Sequence, residues 1–61
     1  MNNTMSIKEH LKYYSDSKEV IIDTNNGTFN FETANNISSM FLKIDVHHIE
    51  EDSDGIYIRT Y

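Results

Sequence analysis

Four carboxylates fall within five residues of this chain: Glu50, Glu51, Asp52 and Asp54, in the stretch Glu50-Glu51-Asp52-Ser53-Asp54-Gly55. Like charges this close repel, so folding gains nothing from gathering them. Such a run keeps a turn solvated, holds a hard cation through oxygen ligands, or meets a basic partner surface. Just upstream lie Asp45, His47 and His48, residue types that bind transition metals. Just downstream, Tyr57, Arg59 and Tyr61 alternate. Tyrosine and arginine are enriched where interfaces concentrate their binding energy.

Each chemistry has a test in the spacing. If Glu50 opens a calcium loop of the EF-hand kind, Asp52, Asp54 and Gly55 take positions 3, 5 and 6. Position 12 then falls on Tyr61, where the loop needs a bidentate glutamate. His47 and His48 are adjacent, and adjacent strand residues point to opposite faces, so they do not share one ion. Asp45 and His47 share a face and make half a site, with His10 or the 50–54 carboxylates as the remaining source of ligands. The expectation is no cofactor and no metal, with Asp45 and His47 as the metal candidates if one binds. Catalysis has no cysteine, no Gly-x-Ser-x-Gly and no Gly-Lys-Ser/Thr to work with. A chain of 61 residues also has little interior for a cleft that excludes water and shifts a carboxyl pKa. A non-enzymatic protein is predicted, with no catalytic residue.

The five Lys and Arg residues are scattered at 8, 12, 18, 43 and 59 against ten carboxylates. Phosphate neutralisation needs clustered cations, and a net charge of −5 opposes it, so direct nucleic-acid binding is not expected. The longest apolar runs, Val20-Ile21-Ile22 and Met40-Phe41-Leu42, fall far short of the ~20 residues of a membrane span. Met-Asn-Asn-Thr-Met lacks a charged and apolar leader, so the expected location is the cytoplasm.

Elements must position these groups. One domain over 1–61 is expected, with 1–5 as a disordered tail. Ser6-Ile7-Lys8-Glu9 reads as a capping box, and Ile7, Leu11 and Tyr14 share a helical face, which predicts a helix over about 6–14. Glu19–Thr24 is a β-branched run, and Thr28–Glu32 a second strand, with Asn26-Gly27 between them. That predicts a type I′ hairpin pairing Ile22 with Phe31 and Val20 with Thr33. Val20, Ile22, Phe29 and Phe31 then share the core face, and Ile21 is the one apolar residue left on the polar face. Thr33 is the predicted N-cap of a second helix whose stripe is Ala34, Ile37, Met40 and Phe41, ending near Lys43. Ile44–Ile49 reads as a third strand with Ile44, Val46 and His48 on one face. Ile56–Tyr61 alternates as a fourth, entered through a left-handed Gly55. The predicted fold is α+β: a small two-layer domain, order α-β-β-α-β-β, with an antiparallel sheet of two hairpins and helices on one face.

The open sheet edges and the small size favour a homodimer. The functional expectation is a protein-binding module. Glu50, Glu51, Asp52, Asp54, Tyr57, Arg59 and Tyr61 would dock on a partner protein with a basic surface. Codon arithmetic adds a source: Ile, Asn, Lys, Tyr and Phe supply 26 of 61 residues, a mark of an AT-rich genome. In this profile of short, acidic, cysteine-free sequence, the chain is similar to small phage or mobile-element accessory proteins. These inhibit host nucleic-acid-binding defence enzymes, as anti-CRISPR and anti-restriction proteins do. The likeness is one of class profile, and no motif carries it. The alternative is a regulatory module that binds a metal or small ligand through Asp45, His47 and the 50–54 carboxylates. Melting with and without calcium or zinc separates the two.

Overall fold

The computed structural model describes residues 5–60. It contains α1 (Ile7–Leu11), β1 (Glu19–Thr24), β2 (Gly27–Phe31), a 3-10 turn (Ala34–Asn36), α2 (Ser39–Leu42), β3 (His48–Glu51) and β4 (Gly55–Arg59). Residues 1–4 of the expected 1–5 tail and the candidate Tyr61 lie outside the described residues, whereas Met5 is held in place by its carbonyl, which accepts from Val46 N–H.

Ser6 caps α1 as its sequence requires. The Glu9 backbone N–H donates to the Ser6 hydroxyl at 3.4 Å, and the Ser6 N–H donates to the Glu9 carboxylate at 3.1 Å. The helix is shorter than the 6–14 span, but its end is turned rather than frayed. Tyr13 N–H donates to His10 O, and Tyr14 N–H to Leu11 O. Tyr14 therefore still packs on the core beside Leu11, around the fully buried Ile7.

The sheet runs β2-β1-β4-β3 and is mixed, not antiparallel throughout. Both hairpins form, β1 with β2 and β3 with β4, but they join through a parallel β1–β4 pair. Burial decides which strands meet. β1 and β4 carry the fully buried Val20, Ile22, Ile56 and Ile58, so they take the centre. Parallel alignment then sets Val20 beside Ile56 and Ile22 beside Ile58. The crossover from β2 to β3 carries the short helical turns over one face.

The first hairpin turns one residue earlier than expected. Asn25 and Asn26 are the central pair, Thr24 faces Gly27, Ile22 faces Phe29 and Val20 faces Phe31. A type I′ turn needs positive φ at both central residues, and among the described residues only Gly27 has positive φ, at 135°. Thr24 holds the turn instead: its Oγ1 accepts from Asn26 N–H and donates to Gly27 O, each at 3.0 Å. Each β1 residue now meets a β2 residue two places earlier than expected. A shift of two preserves side-chain parity, so the same apolar face forms.

The second helix is broken. Ile37 adopts extended backbone, φ −73° and ψ 128°, between the 3-10 turn and α2. Asn35, Asn36, Ser38 and Ser39 favour caps and turns over helix interiors, and Ser38 becomes the N-cap of α2. Ile37 still buries, whereas Met40 is 70% exposed rather than part of the apolar stripe. β3 likewise starts at His48, not Ile44, because 44–46 pairs elsewhere. Ile7 N–H donates to Ile44 O and Val46 N–H to Met5 O, each at 2.9 Å, about a Ser6–Asp45 bridge. Gly55 is not left-handed. A Cβ there would stand 2.7 Å from the Glu19 carbonyl oxygen, so close approach to β1 is what requires glycine. The buried core is aliphatic: Ile7, Val20, Ile22, Ile37, Val46, Ile56 and Ile58.

Candidate functional site

Pleating sends alternate residues to opposite faces. The registers place Val20, Ile22, Phe29, Phe31, Ile49, Ile56 and Ile58 on the side where the helices pack. They place Ile21, Asp23, Thr28, Asn30, His48, Glu50, Tyr57 and Arg59 on the other, where none of these side chains is buried. The candidate site lies on this open face, at the end bounded by the β3–β4 turn.

Tyr57 is its fixed point. In register it stands between Ile21 on β1 and Glu50 on β3. Its hydroxyl donates to Asp23 Oδ2 at 2.9 Å, and Thr28 Oγ1 donates to Asp23 Oδ1 at 3.2 Å. Tyr57 is thereby held across three strands. Arg59 shares the face, opposite Asp23 on one side and His48 on the other.

The four clustered carboxylates divide into different roles. Asp52 builds the turn: its Oδ1 accepts from Asp54 N–H at 2.8 Å and Gly55 N–H at 3.0 Å. These two backbone donors hold its carboxyl below the ordinary aspartate value, with a smaller contribution from Lys18. Glu51 points to the helix side and pairs with Lys18 at 3.2 Å. Lys18 Nζ also donates to Asp52 O at 2.8 Å, tying the turn to the start of β1. Glu50 remains on the open face, with His48 Nε2 3.4 Å from its carboxylate.

Glu50, Asp52 and Asp54 line a shallow concavity of about 300 Å³ together with Glu19, Ile21 and Tyr57. Its floor is apolar, from Ile21 and Tyr57, and its rim is acidic. Glu19 and Ile21 were not among the site residues expected from sequence. Ile21 carried a signal, as the one apolar side chain left on a polar strand face. Glu19 carried none, because it joins the site only through the parallel pairing of β1 with β4.

The metal candidates do not form the shared strand face expected of them. Asp45 bridges to Ser6, and His47 N–H donates to Arg59 O at 2.8 Å, both outside the β3 ladder. His48 falls on the open face rather than beside Val46. Among the described residues no three His, Asp or Glu side chains gather at metal-binding distances. Among the same residues no helix is long and apolar enough to cross a membrane.

Comparison with protein-family models, with curated proteins and with solved structures finds no match to this chain.

Proposed function

We propose that the protein is a non-enzymatic binding module that docks on the basic surface of a larger protein. The observation that carries this reading is the concavity, where the carboxylates of Glu19, Glu50 and Asp54 ring the apolar floor of Ile21 and Tyr57. That combination fits a lysine or arginine side chain. The methylenes lie on the apolar floor and the tyrosine ring, and the cation meets the rim. Asp23 holds Tyr57 in place before binding, which lowers the ordering cost of association. Proteins that bind nucleic acid carry such basic surfaces, and an acidic competitor on one excludes phosphate from it. Inhibition of a host nucleic-acid-binding protein, of the phage or mobile-element kind, is the corresponding role.

The test is affinity capture from a candidate host, comparing wild type with E19K/E50K/D54K. This set spares Asp52 and Glu51, which hold the turn and the Lys18 pair. The expected result is that a protein with a basic surface is retained by wild type and lost by the variant. Equal retention by both would remove the acidic concavity from the reading.

A further inference from the structure

We infer that β2 is a self-pairing edge, through which two copies of this chain join antiparallel about a two-fold axis at Phe29. The product is one continuous eight-stranded sheet made from two four-stranded ones. This inference rests on β2, none of whose residues lines the acidic concavity, and Thr28 is its one link to the site, through Asp23.

An edge strand presents unpaired backbone N–H and C=O groups to any other strand. This sheet has two edges, and they are guarded differently. β3 carries His48, Glu50 and Glu51, so its carboxylates turn away a second acidic copy. β2 reads Gly-Thr-Phe-Asn-Phe, with no charge and no proline. The uncharged run extends from Thr24 to Phe31. In a chain of net charge −5, this is the edge where two copies meet without opposing carboxylates.

Apolar surface gathers at the same edge. Phe29 is 37% exposed, although its ring packs on Phe41 with centroids 4.9 Å apart, and Phe31 packs on Phe41 at 5.4 Å. Met40, next to Phe41 on α2, is 70% exposed. One exposed aromatic needs no explanation. An exposed aromatic in the middle of an uncharged edge strand is a pairing surface.

The strand is also self-complementary. All five residues of β2 overlap with their copies only when Phe29 faces Phe29 of the second copy. Thr28 then faces Asn30, and Gly27 faces Phe31. Apolar residues meet on the helix side and polar residues on the open side, as an isologous two-fold contact requires. Cross-strand aromatic pairs add to the backbone bonds. Because β3 and β4 lie at the far side of each sheet, both acidic concavities stay outermost and accessible.

The register is tested by charge exchange. T28K/N30K sets lysine against lysine across the two-fold, and T28K/N30E sets lysine against glutamate. Both positions are exposed, and T28K also places a cation opposite Asp23 within its own hairpin. The measurement is sedimentation equilibrium over a concentration series. Wild type should approach twice the monomer mass. T28K/N30K should weaken the dimer about tenfold, and T28K/N30E should restore it. A wild type that stays monomeric throughout overturns the inference, as does a T28K/N30K dimer as strong as wild type. Hydrogen exchange of wild type reads the contact without any variant. Outward β2 amides should gain protection as concentration rises, and equal protection at all concentrations would also overturn it.

Discussion

Asp52 is the residue whose charge holds a turn together. Its carboxylate accepts two backbone N–H groups within its own turn, and those donors favour the ionised form. Its folded pKa lies below the ordinary value of 3.8, so the ionised group adds stability above that pH. That contribution is lost as pH falls from 3.8 through the lower folded value. An NMR titration should therefore give Asp52 a midpoint below 3.8. D52N, which keeps an acceptor but cannot titrate, should remove this part of the acid dependence. A midpoint at the ordinary value would mean the two hydrogen bonds contribute nothing to the charge. The neighbouring Glu51 shows how far a sequence count can mislead. Four clustered acids look alike in sequence, yet Lys18 pairs with Glu51, Asp52 bonds the turn, and Glu50, Asp52 and Asp54 line the concavity.

Among the elements, α1 is the most locally specified. It has only five residues, too few to be stable alone in water. Two things hold it: the Ser6–Glu9 capping box and the fully buried Ile7. S6A should cost about 1 kcal/mol, a fall in Tm of roughly 4–8 °C for a domain of this size. An unchanged Tm would assign α1 to the packing of Ile7 alone. The region 33–42 shows the opposite balance. Its apolar spacing suits a continuous helix, but Asn35, Asn36, Ser38 and Ser39 do not favour one. The chain keeps Ile37 in the core by extending there, and Met40 faces outward as a result.

At the scale of the whole molecule, charge separates two kinds of contact. Docking on a basic partner joins opposite charges and weakens as salt rises. Pairing of β2 edges joins two chains of like charge and strengthens as salt screens their repulsion. Between low and physiological ionic strength, partner affinity should fall while dimer affinity rises, read by titration calorimetry and sedimentation. Both moving the same way would mean that one of the two surfaces is misassigned.

The sequence alone determined what depends on near neighbours. The capping box, the pairing of neighbouring strands and the apolar face of β1 and β2 follow from side-chain spacing, which acts over a few residues, whereas neither turn forms as its glycine suggests. Even the shifted first hairpin kept its faces, because strand parity tolerates a shift of two. Tertiary structure decided what depends on residues far apart. Lys18 reaches Asp52 and Tyr57 reaches Asp23 across 34 positions. Those contacts exist only because β1 and β4, the strands with the fully buried side chains, pair in parallel at the centre of the sheet. That pairing brings Glu19 and Ile21 to the acidic turn and leaves β2 as an open edge. No local pattern encodes it, since burying the most apolar strands together is a property of the assembled core.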